Sequence, residues 1–381
     1  MSAVHADPQV AGLPAALAPV PEPPPEPQTR FELPDELNAT GPPEARGLAR
    51  DEVRLLVADG RRPVRHARFR DLDRHLRPGD LLVVNTSATL AAAVDGTRFG
   101  TGRRILPTVV HVATALDDGR WVVELRTAPD GSRPVLDARP GERVRLPDGA
   151  TLTLLEPHRE PPTGPGAAGG DGVRLWRAAT LADLAGVLRR HGRPIRYGYV
   201  AGEWPLSAYQ TVFAREPGSA EMPSAGRPFT TELVTRLVTA GVLVAPVVLH
   251  TGVSSLESHE PPPAERFAVP AATAALVNWT RGNGGRVIGV GTTVTRALES
   301  AATDDGTVTA RAGWTDLVLG PHRPARVLDG LVTGLHAPGA SHLLLLEAVA
   351  GARVVRQAYD AALERRYLWH EFGDTSLLLR P

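Results

Sequence analysis

Between about residues 97 and 178, five β-rich runs follow one another with nothing helical between them. They are Arg104–Val112, Trp121–Thr127, Glu142–Leu146, Thr151–Leu155 and Val173–Arg177. Asp-Asp-Gly and Pro-Asp-Gly turns separate them, and short strands at this spacing predict a small barrel or sandwich. On both sides the rhythm differs. Arg54–Ala58 reads as a short strand, and Pro78–Asn85 as a turn into an apolar one. After residue 180, strands alternate with helices: Thr231–Ala240 capped by Thr230, Val242–Leu249, Ala271–Thr280, Arg286–Val290, then Val294–Ala301 after a Gly291-Thr292-Thr293 loop. Helices near Ser341–Ala350 and Val354–Tyr367 precede a terminal strand at Ser376–Leu379. Such alternation builds an α/β sheet with crossover helices. The expected fold is therefore a main α/β domain, 30–96 and 179–381, with a small β-barrel domain inserted at 97–178. Pro246 within Val242–Leu249 argues for an edge strand or a bulge.

Residues 1–29, which include Pro21-Glu-Pro-Pro-Pro-Glu-Pro27, show little periodicity and read as a disordered proline-rich arm. Pro161–Gly172 reads as a mobile Pro/Gly-rich loop. No arginine-led segment runs into a sustained apolar one, so no signal peptide is expected. No stretch approaches the ~18 consecutive apolar residues of a membrane span.

Composition narrows the chemistry. The chain has no cysteine, and every basic residue is arginine. Disulfides, thiolate metal sites, a cysteine nucleophile, Schiff bases and a P-loop lysine are therefore excluded. Proton transfer then falls mainly to His, Glu, Asp and Tyr, and a reducing compartment, the cytoplasm, is the expected location. Forty-two basic side chains balance 42 acidic ones. That zero net charge provides no bulk attraction to a polyanion, so such a partner would have to meet a local arginine patch.

The most informative segment is Arg286-Val-Ile-Gly-Val-Gly-Thr-Thr-Val-Thr-Arg-Ala-Leu-Glu299. A strand ending in Gly291, Thr292 and Thr293 before a helix presents free N–H groups and hydroxyls where a polar or anionic ligand group is stabilised. Arg296 and Glu299 lie one turn apart and suit a joint role, with Glu299 orienting Arg296. The same residues also suit a plain helix cap and an i,i+3 surface pair. His250, at the end of an apolar strand, and His336, in the loop of Gly330-Leu-Val-Thr-Gly-Leu-His-Ala-Pro338, are candidates for proton transfer. Ser224, Ala225 and Gly226 form a small-residue loop that allows close approach to a ligand. No His or carboxylate spacing suggests a metal.

Together these stretches resemble the S-adenosylmethionine:tRNA ribosyltransferase-isomerase family of queuosine biosynthesis. The resemblance runs from Phe31-Glu-Leu-Pro-Asp-Glu-Leu37 through Arg77-Pro-Gly-Asp-Leu-Leu-Val-Val-Asn85, Tyr209-Gln-Thr-Val-Phe-Ala214, Pro223-Ser-Ala-Gly226 and Gly291–Glu299 to Phe372-Gly-Asp374. It implies an α/β domain with an inserted barrel. It also implies transfer and isomerisation of the ribosyl part of S-adenosylmethionine onto the aminomethyl group of 7-aminomethyl-7-deazaguanine in tRNA, with loss of adenine and methionine. A sulfonium leaving group requires no metal, and S-adenosylmethionine enters as a substrate.

The chain departs from the family pattern inside the motifs. Asn-Asp-Thr-Arg-Val-Ile-Pro-Ala-Arg-Leu is replaced by Asn85-Thr-Ser-Ala-Thr-Leu-Ala-Ala-Ala-Val94, so Ala88 and Ala93 stand for two arginines. The Leu-His after Pro-Thr-Ala-Gly is replaced by Arg227-Pro228, and Phe-His-Leu-Pro-x-Ser-Thr-Leu by Leu335–His342. The lost arginines and the zero net charge weigh against tight tRNA binding unless Arg61, Arg62, Arg65 and Arg68 compensate. Three readings follow: the family reaction on tRNA, transfer from S-adenosylmethionine or a related nucleoside to a different acceptor, and a nucleoside-binding protein without catalysis. The sequence carries no sign of oligomeric state.

Overall fold

The computed structural model describes residues 26–100, 105–158, 172–253 and 263–381. Most of the arm expected at 1–29 and nearly all of the loop at Pro161–Gly172 lie outside these. Thr29, the end of that arm, is buried, and its N–H and hydroxyl both donate to Glu347 at 2.7 Å.

The chain enters through β1 (Arg54–Ala58), β2 (Arg65–Arg68), β3 (Leu81–Asn85) and β4 (Ser87–Thr89). Six strands then close a barrel: β5 (Ala93–Phe99), β6 (Ile105–Ala115), β7 (Trp121–Thr127), β8 (Arg143–Arg145), β9 (Thr151–Pro157) and β10 (Leu175–Ala179). Its order is β10-β7-β6-β5-β8-β9. Val94, Val110, Val123, Leu125, Leu152 and Trp176 fill it, and Leu184, Val187 and Leu188 of α1 (Leu184–His191) pack against them. The five runs expected from sequence thus have a sixth companion in β5. Its Asp95-Gly96 resembles a turn, yet lies mid-strand, where a side chain at Gly96 would come within 2.7 Å of Val144 Cγ1.

After the barrel come β11 (Glu216–Ser219), α2 (Thr231–Thr239), β12 (Leu243–Leu249), β13 (Glu265–Val269), α3 (Ala271–Gly282), β14 (Val287–Val290) and α4 (Thr292–Ser300). The last elements are β15 (Arg311–Thr315), β16 (Gly330–Gly334), α5 (Ser341–Ala350), α6 (Ala352–Glu364) and β17 (Thr375–Leu379). Nine strands form one mixed sheet in the order β15-β13-β12-β3-β14-β16-β17-β1-β2. At its centre β12, β3, β14 and β16 run parallel. β17 lies antiparallel to β16 and parallel to β1, between them.

The sheet is apolar on both faces, as a sheet with covered faces must be. Alternation assigns Leu56, Leu81 and Val83 to the core beneath α3 to α6, while Leu55, Leu82 and Val84 join Phe229, Leu233 and Leu237 on the other side. Thr230 Oγ1 accepts from Leu233 N–H at 3.1 Å, capping α2 as its sequence position predicts.

Pro246 is not on an edge strand of the sheet, contrary to expectation. β12 pairs with β3 along Leu243–Val247, but β13 joins its other side only at Val248 and Leu249. Pro246 faces that open side, where its carbonyl accepts from Thr273 Oγ1 at 2.6 Å. The missing N–H therefore leaves no gap in a ladder.

Among the described residues, no helix is long and apolar enough to cross a membrane.

Candidate functional site

The carboxyl ends of β14 and β16 open on a cavity of about 400 Å³. Four distant stretches wall it: Met222–Ala225, Gly291–Thr293 with Arg296, Thr333–Ala337 with His342, and His370–Glu371. Tyr197, Tyr199, Thr251–Val253 and Glu265 also line it, with the apolar Leu317–Leu319 and Leu345. This is the crevice at strand ends where open α/β sheets bind ligands.

Gly291 links β14 to α4 with φ of 94° and ψ of 158°, a conformation open in practice only to glycine. A Cβ there would stand 3.3 Å from that of Ala225 across the cavity wall. The helix begins at once: Thr292 and Thr293 are its first residues rather than the loop expected from sequence. The N-terminus of α4 is thereby presented to the cavity, with the free N–H groups and partial positive charge of a helix start. Thr293 is 9% exposed, and its hydroxyl has no hydrogen-bond partner among the described residues.

Arg296, next along this face, is already engaged by protein groups. It pairs with Glu265 and donates to the carbonyls of Thr315 at 3.0 Å, Pro263 at 3.2 Å and Leu317 at 3.2 Å. Burial pushes the Glu265 carboxyl up from its ordinary value despite the adjacent guanidinium. Glu299 does not orient Arg296. Its carboxylate points to the segment after β15, where it accepts from Val327 N–H at 2.9 Å and Arg326 N–H at 2.9 Å. Spacing of three allows the two side chains to meet, but each is taken up by other partners, Arg296 by Glu265 and carbonyls and Glu299 by backbone N–H groups.

Among the described residues, three histidines line the cavity. The rings of His336 and His342 stack with centroids 4.6 Å apart. His336 Nε2 lies 3.0 Å from Thr333 Oγ1, and its backbone N–H and C=O engage Tyr359 Oη and Trp369 Nε1. Desolvation pushes His336 well below its usual range and lowers His342 and His370 to about 4. All three are neutral near pH 7. His370 also stacks on Tyr199 at 4.3 Å, and Tyr199 on Tyr197 at 6.0 Å. Tyr199 Oη donates to Glu371 at 2.5 Å, and desolvation raises the Glu371 carboxyl.

Of the residues singled out from sequence, Ser224, Ala225, Gly291, Thr292, Thr293, Arg296 and His336 meet here. Gly226, Glu299 and His250 are not among the lining residues. His250 turns toward the barrel, its Nδ1 2.7 Å from Ser87 Oγ, which in turn lies 2.6 Å from Ser219 Oγ. A strand end alternates its side chains, and Thr251 takes the position on the cavity. Sequence reading missed Tyr197, Tyr199, Glu265, His342, His370 and Glu371 as site residues. His342 was visible only as a replacement for leucine in a motif of the resembling family.

Other departures from that family have structural partners. Arg227 is buried, pairs with Glu44 at 2.9 Å and lies over the Phe372 ring at 5.2 Å. Arg65 and Arg68 belong to β2, the outer edge of the sheet, and Arg61 and Arg62 precede it. None of the four lines the cavity. No cluster of three potential metal ligands occurs among the described residues.

Comparison with known proteins gives the chain its relatives. A family model described as "Queuosine biosynthesis protein" matches residues 27–378. A protein of Symbiobacterium thermophilum named S-adenosylmethionine:tRNA ribosyltransferase-isomerase is 36% identical over 359 residues, 92% of this chain and 98% of its own. One of the same name from a Methylobacterium species is 37% identical over 368 residues, 92% of this chain and 97% of its own. The crystal structure of an S-adenosylmethionine tRNA ribosyltransferase from Thermotoga maritima aligns over 92% of this chain and 99% of that one, at 27% identity and a TM-score of 0.49. With a family match over nearly the whole length and full-length relatives above one-third identity, the chain belongs to the queuosine biosynthesis protein family.

Proposed function

We propose that this chain is an S-adenosylmethionine-dependent ribosyltransferase-isomerase, moving the ribosyl part of that donor to 7-aminomethyl-7-deazaguanine in tRNA. The observation that carries this reading is convergence. Stretches through which the sequence resembles the family, around Ser224, Gly291, Thr333 and Phe372, meet at or beside a single cavity, although nearly 150 residues separate the first from the last. The cavity also suits a nucleoside donor with a polar tail. Gly291 keeps a side chain out of it, the start of α4 favours an anionic group, and the Thr293 hydroxyl has no partner among the described residues.

S-adenosylmethionine supplies the ribosyl group and, through its sulfonium, a good leaving group. The chain's own residues bind and orient. Ser224, Ala225, Gly291, Thr292 and Thr293 form the wall that holds the donor, and the Arg296–Glu265 pair keeps α4 and β13 in fixed relation. His336 is the proton-transfer residue. Burial keeps its imidazole neutral but lowers its basicity, so the proton it takes is one acidified by the donor's sulfonium, and the Thr333 hydroxyl holds Nε2 in place.

A different acceptor is the second reading, favoured by the two motif arginines that are Ala88 and Ala93 here. Ala93 is 2% exposed, at the start of the barrel. The deciding experiment incubates the protein with S-adenosylmethionine, with and without tRNA carrying 7-aminomethyl-7-deazaguanine, and measures adenine by mass spectrometry. Adenine released only with that tRNA supports the first reading, and adenine released with another acceptor supports the second. Donor binding without adenine from any acceptor overturns both.

A further inference from the structure

Among the described residues, two carboxylates line the cavity, in different situations. Glu265 is matched by Arg296. Glu371 has no cation within ion-pair distance among the described residues, and its one side-chain partner is Tyr199 Oη at 2.5 Å. The chain contains no lysine, and the neighbouring His336, His342 and His370 are neutral near pH 7. Glu371 is half-buried, and a carboxylate drawn partly out of water without a cation is unfavourable, a cost that a cationic ligand removes. The adjoining rings add to the same preference. Tyr197, Tyr199 and His370 are stacked within 20° of parallel, and aromatic faces attract positive charge.

We propose that Glu371, held by Tyr199, is the counter-charge this cavity offers to the cationic centre of its donor, so that the site selects a sulfonium over the uncharged thioether of otherwise identical structure. This rests on the reading of S-adenosylmethionine as donor. Glu371 acts here as a specificity-determining residue, separate from the wall at Gly291–Thr293 that receives the donor's polar groups.

The test compares S-adenosylmethionine with S-adenosylhomocysteine, which lacks only the methyl group and its charge, by calorimetry on the full chain. The wild type should favour the sulfonium by roughly tenfold or more, and Glu371→Gln should bring the two affinities within about threefold by weakening the sulfonium alone. A merely structural role would weaken both ligands together. Tyr199→Phe keeps the ring and removes the hydrogen bond, and should reduce the preference in the same direction by a smaller factor; it serves if Glu371→Gln does not fold. A preference unchanged in the variants overturns the proposal while leaving the donor reading intact. Failure of the wild type to bind either compound overturns that reading and the proposal with it.

Discussion

His336 and His342 lie face to face on the cavity wall, their rings 4.6 Å apart and 1° from parallel. Two imidazoles so placed cannot both carry charge cheaply. His342, like His370, stays neutral in the fold down to about pH 4, and burial holds His336 well below its usual range too, whereas in the unfolded chain all three take up protons below about 6.5. The unfolded state therefore binds more protons between those limits. Stability should be undiminished by these groups above the upper limit and fall as pH drops through the window, by up to about 1.4 kcal/mol per pH unit for each histidine. Urea midpoints measured from about pH 7 down to about pH 5 should show this slope, and His342→Leu should flatten it. An equal slope in that variant would refute the assignment.

Arg296→Ala should both weaken donor binding and destabilise the fold. The substitution strands Glu265 as a buried unpaired charge and leaves three carbonyls without their donor, a loss of about 3–5 kcal/mol by precedent for broken buried pairs. Removing both charges with Arg296→Met and Glu265→Leu should recover a large part of that loss. Thermal melting distinguishes the two. If the double variant melts no higher than the single one, the pair is not the source of the stability.

Gly291→Ala tests the junction of β14 with α4. A φ of 94° disfavours any side chain, and the added carbon would press on Ala225 at 3.3 Å. A loss of about 1–3 kcal/mol is expected, together with weaker donor affinity, because the strained residue lies on the cavity wall. Undisturbed melting and binding would mean that the junction relaxes.

The two histidines first picked out from sequence should separate in a turnover assay. His336→Ala removes a cavity side chain and should lower adenine release by about 100-fold or more, the usual scale for a proton-transfer residue. His250→Ala, outside the cavity, should leave turnover within about threefold while lowering the melting temperature, since it loses the contact with Ser87 at 2.7 Å. Comparable losses of turnover in both would place His250 in the chemistry after all.

These outcomes also show what could be read before folding. The Gly291–Arg296 segment was legible because its signal is local: a strand, a glycine, two threonines and a helix face lie within a few residues. His342 and His370 were not, because one sits in an apolar helix start and the other in a turn, and only the sheet topology brings them together beside Tyr199. β5 was absent from the strands read in sequence, and barrel packing shows why a glycine stands in the middle of it: a side chain at Gly96 would meet Val144. Glu299 misled for the opposite reason. Spacing of three suits a side-chain pair, but a carboxylate offered two backbone N–H groups at 2.9 Å takes those instead.

The position of β17 has a consequence for how the chain is made. Residues 375–379 slot between β16 and β1, so the hairpin of β1 and β2, among the first strands synthesised, has no partner in the main sheet until almost everything else has left the ribosome. The barrel, whose strands are contiguous in sequence, is under no such delay. A chain cut shortly before residue 375 therefore keeps every strand of the barrel but leaves β16 and β1 without the strand that joins them.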